Sequence, residues 1–317
     1  MNIDRWQTIV EIVSVFSIVA LVSVSPQALA QSESGQGRIL FVSEWERNSE
    51  IYVMDADGSN IQRLTTAKTD TGSWQGQPVW SPDGRRIAFV SDRDGNLEIY
   101  VMDADGSNIR QLTHTPDGEQ MPNWSPDGKQ IVFVLTRIIN GDLGIYVVNA
   151  DGSNVRRLAH YECVYVNRPV WSPDGGKIAF SSGMQFPDGE WESNIYVIDA
   201  DGSNVQRLTQ HAGSNHQAVW SPDGKQIVFD STRNGNWEIF VMDADGSNVQ
   251  RLTHNDKVDA RPVWSPDGRR IAFHSRRDGS SDQPGVFSEQ EIYVMDADGG
   301  NVERLTDNNH YDGHPDW

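Results

Sequence analysis

Residues 78–113 read PVWSPDGRRIAFVSDRDGNLEIYVMDADGSNIRQLT, and variants of this stretch recur along the chain. Its tryptophan returns at intervals of 44–53 residues, at Trp80, Trp124, Trp171, Trp220, Trp264 and Trp317. The glycine of its Asp-x-Asp-Gly turn returns at Gly58, Gly106, Gly152, Gly202, Gly246 and Gly299. A period in the middle forties with four short strands per unit is typical of the blades of a β-propeller.

Four strands follow from the pattern within one unit. Pro78–Trp80 is predicted as a short first strand. The Ser-Pro-Asp-Gly that follows it is predicted as a turn, because proline suits the second position and glycine the fourth. Arg86–Ser91 alternates in hydrophobicity and is predicted as the second strand. Glu98–Asp103 is the third and Ile109–Thr113 the fourth, with a tight Asp-x-Asp-Gly turn between them.

The two ends of the protein each carry part of a unit. The pattern begins with a second strand at Arg38 and stops with a first strand at His314–Trp317, so the ends together supply the sixth unit. We therefore expect an all-β, six-bladed β-propeller over residues 38–317. A three-plus-one strand latch should close it, with Pro315–Trp317 paired in one sheet with Ile39–Ser43. The tryptophans expected to be largely buried in the inner strands are Trp80, Trp124, Trp171, Trp220 and Trp264.

The N-terminus has the pattern of an export signal. Residues 12–24 form an apolar run, which is shorter than the roughly 20 residues that span a bilayer as a helix. Ala-Leu-Ala at 28–30 follows as a cleavage pattern. We predict a signal peptide over 1–30, a linker over 31–37, a periplasmic or secreted location and no stable membrane insertion after cleavage. An uncleaved anchor is the alternative, because Asp4 and Glu11 weaken the positive region before the run.

Composition restricts the partners. The protein has 26 Lys and Arg against 45 Asp and Glu, for a formal net charge of -19. Such a surface repels phosphate backbones, which argues against nucleic acid and leaves a protein or cell-envelope ligand. Cys163 is the only cysteine, so an intramolecular disulfide and a cysteine zinc site are excluded. A monomer is expected.

The Trp-Ser-Pro-Asp-Gly and Asp-Ala-Asp-Gly repeats resemble the WD40-like repeats of the TolB-like β-propeller family. The resemblance extends over residues 38–317 and covers all six units. It implies a propeller fold and a periplasmic location. In TolB an α/β domain precedes the propeller. Here only about seven linker residues precede the first strand, so we expect a TolB-like propeller without that N-terminal α/β domain.

Motifs associated with metals or catalysis have structural explanations. The Asp-x-Asp-Gly-x-Asn turn at residues 55–60 resembles part of a calcium loop, but the sequence then continues directly into Arg63 without a distal carboxylate. We expect turn capping and no cofactor, with calcium as the open alternative. Seven of the eight histidines are expected in the loops between blades and His274 at the end of a second strand, without zinc-ligand spacing. No G-x-S-x-G motif is present, and no catalytic or metal-binding residue is predicted.

The binding surface is predicted from loop variation. The two repeated turns share one face of a propeller, here called the turn face. The connections between blades, and between second and third strands, share the opposite loop face, and only these connections vary from unit to unit. The longest are Ser181–Asn194 and Ser275–Glu291.

Two sets of residues on the loop face are predicted to contact a ligand. The first precedes each first strand and should form the rim of the central channel: Gln77, Met121, Arg168, Gln217, Arg261 and His314. This ring has no carboxylate, which favours a recognition surface over a metal site. The second set is aromatic, as is usual at interfaces: Trp45, Trp74, Tyr161, Tyr165, Trp191 and Tyr311, with Phe186 and Trp237 beside them.

These observations predict an exported, non-catalytic binding or scaffold module that recognises a protein or envelope ligand on its loop face. The alternative is a propeller lyase or hydrolase that acts on saccharides. Such an enzyme would bring three or more His, Asp or Glu side chains together at the channel mouth.

Overall fold

Antiparallel β-sheet accounts for all the regular structure in the part of the protein that the computed structural model describes. That part comprises residues 37–45, 48–66, 74–135, 143–160, 165–185, 191–210, 213–278, 290–308 and 310–317. Within it, 24 strands form six four-stranded sheets and there is no helix, as an all-β six-bladed propeller requires. The predicted signal peptide and residues 31–36 of the predicted linker lie outside the described residues.

The blades are numbered from the N-terminus, and each is given from its first strand to its fourth. Blade I holds β24 (Tyr311–Asp316), β1 (Arg38–Trp45), β2 (Asn48–Asp55) and β3 (Gln62–Arg63). Blade II holds β4 (Gln75–Trp80), β5 (Arg86–Ser91), β6 (Glu98–Asp103) and β7 (Arg110–Gln111). Blade III holds β8 (Glu119–Trp124), β9 (Gln130–Leu135), β10 (Gly144–Asn149) and β11 (Arg156–His160). Blade IV holds β12 (Tyr165–Trp171), β13 (Lys177–Gln185), β14 (Trp191–Asp199) and β15 (Gln206–Arg207). Blade V holds β16 (Asn215–Trp220), β17 (Gln226–Ser231), β18 (Glu238–Asp243) and β19 (Gln250–Arg251). Blade VI holds β20 (Asp259–Trp264), β21 (Arg270–Ser275), β22 (Glu291–Asp296) and β23 (Glu303–Arg304).

The two ends of the protein share blade I. Strand β24 pairs antiparallel with β1, with Leu40 opposite Asp316 and Ser43 opposite Asp312. The last strand in sequence therefore lies in the same sheet as the first three, in the arrangement that the partial units predict. It also packs against β20, β21 and β22 of blade VI and β4 of blade II, so it contacts both neighbouring blades.

The core repeats from blade to blade because the same apolar positions recur. One phenylalanine on the second strand of each blade is fully buried: Phe41, Phe89, Phe133, Phe180, Phe229 and Phe273. Each packs on the aromatic residue opposite it on the third strand, with ring centroids 5.6–5.9 Å apart. Burying a side chain of this size stabilises a fold by about 1.5–3 kcal/mol.

The tryptophan prediction holds for four of the five positions. Trp124, Trp171, Trp220 and Trp264 are only 4–7% exposed. Trp80 is only partly buried, so the prediction was wrong there. The Arg38 guanidinium over its ring lies 5.1 Å from the centroid, against 4.6 Å for Arg86 over Trp124, and covers the indole less closely.

The Asp-x-Asp-Gly turns bring neighbouring blades together. Gly106 has a φ of 85° and packs so closely that a Cβ would lie 2.5 Å from the Leu64 carbonyl oxygen of blade I. Only glycine meets both demands. Asp103 Oδ2 accepts a hydrogen bond from Asn108 Nδ2 at 2.6 Å, and Asp105 Oδ1 accepts one from Ser107 N at 2.9 Å. These carboxylates therefore cap their own turn, in the way the sequence predicts.

A pair of buried carboxyl groups lies between blades II and III. Glu98 on β6 and Glu119 on β8 are both buried. The pKa of Glu119 is raised to about 8, mainly by burial and secondly by its hydrogen bond with Glu98. At the corresponding position between blades I and II, Gln75 Nε2 donates to Glu50 Oε2 at 3.2 Å. The fold thus accommodates an amide where blade III has a carboxyl group.

Replacing Glu119 by glutamine is expected to stabilise the protein at alkaline pH. Folded Glu119 holds its proton to about pH 8, whereas its usual pKa is 4.5. The folded state therefore binds more protons in that window, and the free energy of unfolding falls as pH rises through it. Urea unfolding should show Glu119→Gln about 1–3 kcal/mol more stable than wild type at pH 8.5 and close to it at pH 5. The exposed Glu303→Gln is the matched control, and an equal effect at both pH values would contradict the assignment.

Candidate functional site

All six residues predicted to form the channel rim line a single cavity. Gln77, Met121, Arg168, Gln217, Arg261 and His314 surround it, together with Pro78, Val79, Pro122 and Pro315. The volume open to the centre of a water-sized sphere is about 30 Å³, which is room for one or two waters. One residue from each blade thus converges on a small space.

Each rim residue lies inside a first strand and not before it, which corrects the predicted strand boundary. The strand β4, for example, already begins at Gln75. All six rim residues have left-handed backbones with φ between 43° and 58°, and the sheet register shifts beside them. In every blade except V a proline follows the rim residue. Such a backbone costs about 1–3 kcal/mol for a residue other than glycine.

These bulges turn the rim side chains toward the channel, where they contact one another across blade boundaries. A rim backbone amide is capped by a side chain of the preceding blade, and some rim side chains are joined to each other. The contacts are Met121 N to Gln77 Oε1 at 2.6 Å, Arg168 N to Met121 Sδ at 3.1 Å, Arg168 Nη1 to Gln217 Oε1 at 3.4 Å, and Arg261 Nη1 to His314 Nδ1 at 3.0 Å. These contacts link four rim residues in one run, from Gln77 to Gln217, and the other two, Arg261 and His314, as a pair.

Two carboxyl groups that the sequence did not predict lie beside this ring. Asp230 on β17 is 2% exposed, and its Oδ2 accepts a hydrogen bond from Arg261 N at 2.9 Å. Asp316 on β24 accepts one through Oδ2 from Trp80 N at 2.8 Å. The cavity lining itself contains no carboxylate, so these two lie outside the predicted set of six.

A signal for both residues is present in the repeat. In the other five blades, the position equivalent to Asp230 is occupied by Val42, Val90, Val134, Ser181 and His274. The position equivalent to Asp316 is occupied by Val79, Asn123, Val170, Val219 and Val263. The blade architecture is thus built mostly with valine at these places. A residue that departs from its own repeat in a buried position points to a role beyond the fold.

Burial shapes the electrostatics of the rim. It raises the pKa of Asp230 to about 6, against the opposing effects of the Arg261 backbone amide and the charges of Arg261 and Arg168. It raises the pKa of Asp316 to about 6 as well, against the Trp80 amide and Arg168. Burial also lowers the pKa of Arg168 to about 10, so its guanidinium stays charged near neutral pH. Two cations therefore face two carboxyl groups that titrate just below neutrality.

Three histidines lie in the strands around the cavity. His216 is in β16 and His314 in β24, although both were expected in loops, and His274 is near the end of β21. Burial and the charge of Arg261 lower the pKa of His216 to about 4 and hold the pKa values of His274 and His314 well below their usual range. All three are therefore neutral at pH 7.

The predicted aromatic residues occupy different places. Trp74 and Tyr311 are partly buried and pack over the backbones of Gly76 and Gly313 in the first strands. Tyr311 also lies beside the rim, with its ring centroid 6.5 Å from that of His314. Trp237 is partly buried, with its ring centroid 4.8 Å from that of His216. The other predicted positions are strand ends or outside the described residues: Trp45 ends β1, Tyr165 begins β12, Trp191 begins β14, and Tyr161 and Phe186 are not described.

One predicted loop is largely sheet. Strands β13 and β14 continue their pairing from Ser182 opposite Asn194 to Gln185 opposite Trp191. The connection expected over Ser181–Asn194 is therefore mostly an extended hairpin on the loop face. Of the second long connection, residues 279–289 lie outside the described residues.

Neither a metal cluster nor a membrane span is found where the structure is described. No three His, Cys, Asp or Glu side chains among the described residues are placed to share a metal ion. The same residues include no helix of the length and hydrophobicity needed to cross a bilayer.

Comparison with known proteins identifies relatives of this arrangement. The family described as "TolB beta propeller domain" matches residues 17–134, 67–186, 114–225 and 166–285. TolB from Acinetobacter baumannii is similar in structure with a TM-score of 0.71 and 24% identity, covering 92% of this protein and 70% of that one. A putative TolB from Agrobacterium tumefaciens gives 0.67 and 25%, covering 87% and 91%.

An enzyme shares the fold more distantly. Oligogalacturonate lyase from Vibrio parahaemolyticus gives a TM-score of 0.55 and 16% identity, covering 85% of this protein and 73% of that one. A comparison with curated proteins gave no match.

Proposed function

The chain belongs to the TolB β-propeller domain family, and on that premise we propose that it is an exported, non-catalytic binding module. It recognises a protein or cell-envelope ligand through its loop face, with the channel rim at the centre of the contact. The apolar run and the Ala-Leu-Ala pattern at its N-terminus support a periplasmic or secreted location.

One observation carries the proposal: the two faces differ in how strictly they repeat. On the turn face, the serine hydroxyl donates to the aspartate carboxylate of the same turn at 2.6–2.7 Å in each of blades II to VI. On the rim, the six equivalent positions hold four different residue types, namely glutamine, methionine, arginine and histidine. A surface that repeats six times is poorly suited to one asymmetric partner, whereas the rim presents a unique pattern.

The strain at the rim supports the same face. Left-handed backbones before proline are held at equivalent positions in most blades, although each is unfavourable by itself. Because strands fix both sides of each bulge, little conformational freedom is lost when a ligand binds. Arg168 and Arg261 are the strongest candidate anchors, since a guanidinium can pair with a carboxylate in bidentate geometry.

The proposal is tested by capture from an envelope extract of the source organism. The protein is immobilised through its C-terminus, which follows β24 at the turn-face end of the channel. We expect the double variant Arg168→Ala with Arg261→Ala to lose the ligand that wild type retains, with affinity reduced by about 2 kcal/mol or more. Mass spectrometry identifies the retained species, and titration of that species gives the affinity.

A matched control removes two arginines from the other face. Arg85 and Arg269 are exposed on the turn face, so Arg85→Ala with Arg269→Ala changes the net charge equally without touching the rim. This variant should bind like wild type. Loss of binding in the control with retention in the rim variant would show that the wrong face was chosen. Turnover of polygalacturonate by the purified protein would instead indicate the saccharide-acting alternative.

A further inference from the structure

The charged groups at the channel are arranged in a way that the blade architecture does not require. Arg168 and Arg261 line the cavity. Asp230 accepts a hydrogen bond from the backbone of Arg261, Asp316 follows the lining residue Pro315, and the charges of both aspartates act on Arg168. Neither guanidinium is within ion-pair distance of a carboxylate among the described residues. The second oxygen of Asp230, Oδ1, is buried without a hydrogen-bond partner.

We propose that the cavity between Arg168 and Arg261 is a carboxylate-binding site, and that protonation of Asp230 and Asp316 controls its affinity. This inference deepens the proposed function, because it names the chemical group that a protein partner would place in the channel. The two arginines supply planar arrays of donors that match a carboxylate. The two aspartates compete with that ligand for the same positive charge.

The available space favours a single carboxylate group. A volume of about 30 Å³ is near that of one or two waters and accommodates such a group once they are displaced. The site therefore suits the side chain of an aspartate or glutamate, or the C-terminal carboxylate of a polypeptide, that enters from the loop face.

The sign of the pH dependence follows from the four charged groups. At pH 7.5 both aspartates are ionised, because their pKa values are raised only to about 6, and they balance the two guanidiniums. At pH 5.5 about three quarters of each aspartate is protonated, so these four groups carry about 1.5 net positive charges. Carboxylate binding should therefore strengthen as pH falls from 7.5 to 5.5.

The three histidines and the tyrosine beside the channel keep one charge state over this range, and Glu44 and Asp312 lie farther out, where they act on Tyr311. His216 lies opposite Asp230 in the sheet, and it remains neutral along with His274 and His314, because the pKa of each is lowered. Burial raises the pKa of the Tyr311 phenol, which also stays neutral. The charge of Arg276 lowers the pKa values of His274 and Tyr311, against the larger effect of burial at Tyr311. The switch thus rests on the two aspartates.

The test is an NMR titration of the full mature protein with ¹³C-labelled acetate at pH 5.5 and pH 7.5. Wild type should bind acetate about tenfold more tightly at pH 5.5. Arg168→Gln should abolish binding at both pH values. The probe is acetate and not the captured partner. Failure of this titration therefore leaves the proposed binding face intact, and failure of the capture experiment leaves the carboxylate site intact.

Isosteric variants isolate the switch. Asp230→Asn and Asp316→Asn should each bind acetate at pH 7.5 more tightly than wild type, and the double variant should lose the pH dependence. Asp316→Asn should fold, because Asn123 occupies the position of Asp316 in blade III and its Oδ1 accepts from Trp171 N at 3.1 Å. Asp230→Asn should fold because the amide oxygen can still accept the hydrogen bond from Arg261 N. Glu119→Gln removes a buried titrating carboxyl group elsewhere and should keep the wild-type profile. No acetate binding, equal affinity at both pH values, or an unchanged profile in the double asparagine variant would each overturn the proposal.

Discussion

Removal of residues 311–317 is expected to abolish cooperative unfolding of this protein at 25 °C. The deletion takes away β24, the first strand of blade I, together with Trp317. It leaves β1 with an unpaired edge and removes the contacts of β24 with blades II and VI. A whole inner strand is comparable in free energy with the roughly 5–15 kcal/mol that stabilises a typical folded domain. Near-ultraviolet circular dichroism during thermal unfolding should show no sharp transition.

A single substitution separates the contribution of the Trp317 side chain from that of the strand. Trp317→Ala keeps the pairing of Asp316 with Leu40 but removes the indole. In the wild type, the Arg270 guanidinium lies over this indole, with its carbon 4.7 Å from the ring centroid. It should unfold cooperatively at a lower temperature than wild type. A truncated protein that melts like wild type would show that β24 does not hold the ring closed.

Replacing Trp264 by alanine is expected to destabilise the protein by about 3–5 kcal/mol. The side chain is 5% exposed and belongs to the core cluster that joins blades V and VI to blade I. Its indole nitrogen has no hydrogen-bond partner among the described residues, so the loss comes from packing and not from a lost hydrogen bond. Trp264→Phe should therefore recover most of the stability, with a remaining loss of roughly 1–2 kcal/mol. Urea unfolding measures each difference.

The repeat supplies a matched position for this experiment. Trp80 occupies the same place in blade II but is only partly buried beside Arg38. Trp80→Ala should cost about 1–2 kcal/mol less than Trp264→Ala, because less apolar area is exposed to water. Equal losses at the two sites would contradict the difference in burial.

The fold was predictable because the sequence pattern that forms each blade is local and recurs six times. Phe89 and Ile99 recur with strand periodicity, and the turn glycines such as Gly106 mark positions that other residues cannot take. Strand ends were less predictable. The fourth strand was expected over Ile109–Thr113 but pairs only at Arg110–Gln111, where Ile109 is exposed. Propensity predicts a strand at such a site, while tertiary pairing sets its length.

The candidate site was predictable in position but not in chemistry. The rim residues were found because each precedes the start of a repeated motif. Their bulged backbones were not expected, since a left-handed residue before proline, as at Arg168, is disfavoured in short peptides and is imposed here by the neighbouring strands. Asp230 was missed because it lies on the second strand of its blade. Only the fold shows that this position contacts the backbone of the rim residue Arg261.

The most direct test of the binding account is hydrogen exchange of the protein with and without the ligand captured from the envelope extract. The account predicts protection of amides on the loop face, concentrated in segments such as 74–78 and 258–262 around the rim. The turns at 81–84 and 103–106 on the opposite face should exchange at unchanged rates. Protection confined to those turns, with none at the rim, would contradict the claim that this propeller binds through its loop face.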